Sequence, residues 1–304
     1  MNSVPLFPHF KSFEITDRKL IHTALWKYQP ETSELTFTNL FMWRKKYKYQ
    51  WCKYEDWLLF IASCSDGKIY ALPPVGPPSR KRAVFLLLDW LSEQTSGEPE
   101  IKRADTRLIM ELQPSTGFST ESTRTHFDYL YYTTDLINLS GRKYHSKRNH
   151  LKQFLKKYTI DYRPVSDTRI SECMEFSSRW CKINNCYSEP SLCEEYVAIN
   201  EALSQFNRLQ LCGAAIYING RMEAFALGEL LNNNTAVIHV EKASTEFHGI
   251  YAAINQMFCA NQFKNTTFIN REQDLGNDGL RKAKLSYHPA KLVEKFKIRC
   301  KSQV

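Results

Sequence analysis

The sequence has 304 residues, 43% of them hydrophobic and 24% charged, with a formal net charge of +9. This balance excludes a disordered chain and allows one large domain or two ordinary ones. No run of about 18 apolar residues occurs, so no transmembrane helix is expected. The opening stretch lacks a basic start followed by an apolar core, so it does not read as a secretory signal, and a cytoplasmic location follows by default. The positive charge favours an anionic partner (nucleic acid, acidic headgroup or phosphate-bearing cofactor) without choosing among them. The sequence has nine cysteines. Cys173, Cys181, Cys186 and Cys193 cluster loosely with no histidine among them, which suits buried free thiols better than zinc, and no metal is expected.

In chain order, residues 47–53, 57–62 and 69–72 read as short strands, with a hairpin signal at Ser65-Asp66-Gly67. A helix over 79–94 follows, its apolar face made by Ala83, Phe85, Leu86, Leu87, Trp90 and Leu91. The Pro-rich stretch 73–78 before it lacks the glycines of a phosphate-cradling loop and reads as a stiff connector. A strand at 100–103 and a helix at 105–113 come next. Residues 128–133 read as the last strand of a first unit, with a domain boundary near 140, giving domains 1–140 and 141–304.

The second half repeats the plan. Strand-like runs at 209–218, 222–231 and 235–242 are punctuated by Asn219-Gly220, a type I′ signal, and by Asn232-Asn233-Asn234. A helix over 247–263, a strand at 267–270, a helix at 279–285 and a strand at 292–298 complete it. Antiparallel strands, a helix, a strand, a helix and a last strand make a mixed α/β (α+β) unit: a mostly antiparallel sheet flanked by helices. This is the plan of the N-acyltransferase (GNAT) superfamily, and its repetition predicts two tandem GNAT-like domains.

Four segments could carry chemistry. Residues 142–157 hold seven Lys and Arg and no acid. Arg148, Lys152 and Lys156 share a helical face, an arrangement that repels itself unless an anion is bound. In a GNAT-like unit the central strands carry groups that deprotonate an attacking amine, which makes Glu229 and Glu241 candidate bases, with His239 a weaker one. Residues 242–249 sit where a GNAT enzyme binds the pyrophosphate of coenzyme A, but only Gly249 stands for the usual glycine-rich loop. In the loop and helix 270–287, Asp274 and Asp278 could orient a cationic amine, and Arg281 and Lys282 could hold a carboxylate or phosphate. Tyr287 could protonate a leaving group. Asp278 could alternatively serve as a helix N-cap.

Residues 34–44 (ELTFTNLFMWR), 128–154 (DYLYYTTDLINLSGRKYHSKRNHLKQF) and 270–289 (NREQDLGNDGLRKAKLSYHP) resemble the bacterial proteins related to the C-terminal domain of phosphatidylglycerol lysyltransferase. The resemblance implies tandem GNAT-like domains, as in enzymes that move an amino acid from aminoacyl-tRNA to a lipid or a peptidoglycan peptide. Lys143, Lys147, Arg148, Asn149, Asn270, Asp274, Gly276, Gly279, Leu280, Arg281, Lys282 and Tyr287 fall on the family's patterned positions. The expected activity is transfer of an acyl or aminoacyl group, from acyl-CoA or aminoacyl-tRNA, to a small-molecule or peptide amine or a hydroxyl. The competing expectation is a non-catalytic module that binds a small metabolite or RNA.

Overall fold

The computed structural model describes residues 4–63, 66–95, 97–113 and 117–301. Its strands are β1 (Lys11–Ser12), β2 (Gln50–Tyr54), β3 (Trp57–Ser63), β4 (Ile69–Ala71), β5 (Ile101–Ala104), β6 (Phe118–Ser122), β7 (Asp128–Tyr132), β8 (Ile160–Pro164), β9 (Cys212–Ile218), β10 (Arg221–Asn232), β11 (Thr235–Ala243), β12 (Phe268–Asn270), β13 (Lys291–Val293) and β14 (Phe296–Cys300). They form two seven-stranded sheets, ordered β1-β2-β3-β4-β5-β14-β6 and β13-β7-β12-β11-β10-β9-β8. Two compact units result. The first is Met1–Asp128, Gln273–Gly276 and Val293–Val304; the second is Tyr129–Glu272 and Asn277–Leu292.

Both units follow one plan. An edge strand leads through helices to three antiparallel strands, a helix, and a strand that returns parallel to the third. The parallel pairs are β4 with β5 and β11 with β12. In the first unit the returning helix is Lys81–Gln94, whose Ala83, Val84, Leu87, Leu88 and Leu91 are buried against β3 and β5 residues. In the second it is Ile250–Gln262, burying Ala253, Ile254 and Phe258. The Asn219-Gly220 turn has φ of +51° and +79°, as a type I′ hairpin requires. The Asn234 amide donates to Asn232 Oδ1 at 3.1 Å, closing the next turn. Of the Ser65-Asp66-Gly67 signal, Ser65 lies outside the described residues, while Gly67 has φ +83°. Val75, in the Pro-rich connector, exchanges backbone hydrogen bonds with Leu58.

Two strand assignments are corrected. The strand at 128–133 belongs to the second sheet, where Ile269 faces Tyr131 and the Ala290 amide donates to Leu130 O at 2.8 Å. The strand expected over 292–298 is two: β13 ends at Val293 in the second sheet, and β14 enters the first between β5 and β6. Alternating hydrophobicity shows that a segment pairs, not which sheet receives it. Residues 47–49 precede β2 instead of opening it, because Arg44–Tyr47 is a helical turn. Strands β6 and β8 and the helices Asp167–Ile183 and Pro190–Ser204 were not anticipated. These two helices supply the missing start of the second unit's plan. They carry Cys173, Cys181 and Cys193 as free thiols, and burial first, then Cys186, pushes the Cys181 thiol up to about 12. Among the described residues, no helix is long and apolar enough to cross a membrane.

Candidate functional site

Strands β11 and β12 run parallel, and each delivers one charged residue to the same point of the second unit. Glu241 lies near the end of β11, and Arg271 follows β12 directly. The Arg271 amide donates to Tyr129 O at 2.9 Å, which carries the β7 ladder past the strand end and fixes the side chain's origin. Its Nε and Nη2 both donate to Glu241 Oε2, at 3.0 and 2.7 Å. This leaves Glu241 Oε1 and Arg271 Nη1 buried with no hydrogen-bond partner among the described residues. Orphaned buried groups are expensive, so an acceptor left open on one partner of the pair and a donor left open on the other point to a ligand.

Two tyrosines and a lysine wall this pair. The Arg271 guanidinium lies 4.8 Å from the Tyr287 ring centroid and 5.7 Å from that of Tyr131. Lys147 Nζ, from the basic helix His145–Lys157, lies 4.2 Å from the Tyr287 ring. Burial, then the Arg271 charge, holds the Lys147 ammonium below its ordinary range. Burial pushes the Tyr287 phenol up to about 12, against the opposing pull of Arg271, so it keeps its proton at neutral pH. The Tyr287 backbone is held in turn, since Tyr144 Oη donates to its carbonyl at 3.0 Å.

His239 sits between two carboxylates. Leu227 pairs with Val240 and Gly228 with Ile238, so His239 is the extra residue of a β-bulge, which breaks the alternation used to read this strand. Its Nε2 lies 3.0 Å from Glu229 Oε1 and its Nδ1 2.8 Å from Glu272 Oε1. Burial alone would lower the imidazole pKa, but the hydrogen bonds to Glu229 and Glu272 and their charges raise it to about 9. Each imidazole nitrogen is thus held by a carboxylate, one of them that of Glu229. Because the folded-state pKa lies above the unfolded value of about 6.5, this stabilisation is complete below that pH and is lost as pH rises through about 9. Denaturant unfolding of the native protein should therefore lose roughly 3 kcal/mol relative to His239→Gln between pH 6 and pH 10. Parallel curves for the two proteins would remove the clamp.

Of the residues singled out in the sequence, Lys147, Glu241 and Tyr287 come together, and Arg271, which was not assigned a role, joins them. An arginine one residue past a returning strand was the available signal. Arg148 and Asn149 instead line a groove of about 550 Å³ with His145, Lys152, Leu151 and Gln256. Arg148 also donates to the carbonyls of Leu139 and Gly141. Lys143 is half exposed and pairs with Asp135 at 3.2 Å. Asn270 is fully buried and turns the chain, with its Oδ1 accepting from the Glu272 amide at 2.7 Å. Asp274 belongs to the first unit, fully buried, accepting from the Gly276 amide at 2.8 Å and paired with Arg124 at 3.3 Å. Arg281 and Lys282 lie on the helix Asp278–Leu285, where Lys282 is exposed. Its N-cap is Asn277, whose side chain accepts from the Leu280 amide, so the alternative reading of Asp278 as the cap does not hold.

Gly249 caps the helix Ile250–Gln262 at φ +97°, and a Cβ there would stand 2.6 Å from the His150 carbonyl oxygen and 2.9 Å from Phe154 Cβ. The basic helix packed onto it and the positive φ thus require glycine here.

The family model described as phosphatidylglycerol lysyltransferase, C-terminal, matches residues 27–299. A conserved protein of unknown function from Bacteroides thetaiotaomicron VPI-5482 is 33% identical, with a TM-score of 0.90 over 96% of this chain and 99% of that one. The structure of L-PGS from Bacillus licheniformis is 13% identical, with a TM-score of 0.65 over 95% of this chain and 93% of that one. A tandem GNAT protein from the clavulanic acid biosynthesis pathway is 7% identical, with a TM-score of 0.52 over 97% of this chain and 99% of that one. The expected mixed α/β, tandem GNAT-like fold is thereby shown, and the chain belongs to the family of the phosphatidylglycerol lysyltransferase C-terminal domain.

Proposed function

We propose that this protein transfers an aminoacyl group from an ester donor of the aminoacyl-tRNA kind to an amine or hydroxyl acceptor, at the Glu241–Arg271 pair. The observation that carries the reading is a buried ion pair with one open atom on each partner, Glu241 Oε1 and Arg271 Nη1. The acceptor attacks the ester carbonyl, forming the new C–N or C–O bond, and gives its proton to Glu241 Oε1. Arg271 Nη1 donates to the carbonyl oxygen as negative charge develops there, in a site dry enough to make that donation strong. The ester C–O bond then breaks, the departing hydroxyl takes its proton from Tyr287, whose phenol remains protonated at neutral pH, and the proton held by Glu241 passes to the Tyr287 oxygen to restore both groups. Lys147 adds positive charge beside the ring, and the acid-free face of His145–Lys157 suits a polyphosphate backbone.

Two features favour an ester donor over acyl-coenzyme A. The helix N-terminus that would receive a pyrophosphate packs at Gly249 against His150 and Phe154, and the matching family model is that of a lysyltransferase, whose name denotes transfer of an aminoacyl group. A nonhydrolysable aminoacyl-tRNA mimic is expected to raise the melting temperature, whereas acetyl-coenzyme A should not. A shift with the coenzyme alone would overturn the donor assignment.

A further inference from the structure

The first unit holds a second buried charge cluster, which aminoacyl transfer at Glu241 does not use. Lys295 is fully buried, and its Nζ donates to Glu34 Oε2 at 2.6 Å, Asp128 Oδ1 at 2.6 Å and Gln273 Oε1 at 3.0 Å. Asp128 is completed by the Ser33 amide at 2.8 Å and the Ser33 hydroxyl at 3.0 Å. Arg103, in left-handed backbone at φ +66°, brings its Nε to 3.6 Å from Glu34 Oε1. Glu34 Oε1, Arg103 Nη1, His126 Nδ1 and Thr32 Oγ1 are all buried with no hydrogen-bond partner among the described residues. Arg103 is the third residue of β5, the strand parallel to β4. In the second unit Arg271 stands just past β12, the corresponding returning strand.

We propose that this cluster binds a free α-amino acid, with its ammonium on Glu34 Oε1 and its carboxylate on Arg103 Nη1. Charge balance selects the ligand. Lys295 and Arg103 offset Glu34 and Asp128, and Lys102 at the edge pairs with Glu100 at 3.3 Å. Burial, then Arg103 and Lys295, pushes the His126 imidazole down to about 3 and so keeps it neutral. A net anion or net cation would add an uncompensated charge to this interior, whereas a zwitterion adds none and satisfies one orphaned acceptor and one orphaned donor together. Burial, reinforced by Asp128 and opposed by Lys295, holds the Glu34 carboxyl above its ordinary range, and an ammonium against Oε1 would favour its ionised form.

The test is calorimetric titration of the intact protein with the proteinogenic L-amino acids, with ethylamine and acetate as single-charge controls. At least one amino acid should bind while ethylamine and acetate do not. Glu34→Gln and Arg103→Lys should each weaken that binding by roughly tenfold or more, with the fold checked by circular dichroism. Glu241→Gln should leave it unchanged, which separates this site from the transfer site. Because the titration of the unaltered protein needs no variant, absence of binding to every amino acid would overturn the proposal, as would equal binding of either control. Binding that survives both substitutions in folded protein would place the ligand elsewhere and overturn it too.

Discussion

Transfer by Glu241→Gln is expected to fall by about 10²–10⁴ in turnover, the range over which a positioned general base acts. Glutamine keeps the side chain's shape and an oxygen for Arg271 but cannot take up a proton. The loss should therefore appear in kcat, with KM little changed. Replacing a partner of Arg271 also weakens the fold, since the guanidinium is left buried without its counter-charge. The assay must accordingly be run well below a separately measured melting temperature. Transfer within tenfold of the native rate in folded protein would remove Glu241 from the chemistry. The same substitution at Glu229 is the informative control: its carboxylate is bound to His239, so the effect should fall on stability and on its pH dependence.

The largest effect on stability is expected at Lys295. Lys295→Met fills a similar volume but leaves Glu34 and Asp128 buried beside one another without their shared cation. Breaking a buried ion pair from one side costs about 3–5 kcal/mol, and here two carboxylates lose the same partner. Denaturant unfolding should report a loss of at least that order. Adding Asp128→Asn to Lys295→Met should recover part of it, giving a coupling energy in a double-mutant cycle. A loss under about 1 kcal/mol would mean that water reaches the cluster and screens it.

The fold was legible where local chemistry decides it. Asn219-Gly220 admits the two positive φ values of its turn, and the apolar face of Lys81–Gln94 can only pack inward. What pattern could not supply was partnership. Residues 128–133 and 292–298 alternate like strands, yet the sheet each joins depends on neighbours far along the chain. The long stretch between residues 158 and 208 carries its helices on mixed polar, acidic and cysteine-bearing faces, where periodicity is weak. The site followed the same rule. Glu241 stood out as an acid in a central strand, but its engagement with Arg271 thirty residues later is a tertiary fact. The bulge at His239 leaves no mark in hydrophobic alternation, so the two carboxylates that hold its ring are a tertiary fact as well. Lys295 read as part of a strand, and only its burial reveals the charge cluster.

The position of β14 between β5 and β6 has a consequence for how the molecule is born. As the chain leaves the ribosome, β6 is complete about 170 residues before β14 begins. At roughly 5–20 residues per second, that interval is on the order of ten to thirty seconds. During it the first sheet exposes the two backbone edges that β14 will later cover, and such edges recruit other chains. Lys295 arrives only then, so Glu34 and Asp128 wait in water for the cation that allows them to be buried. The second unit's sheet is complete once β13 has been made, so the half of the protein synthesised first is the half that finishes last, and a nascent-chain chaperone would find its client there.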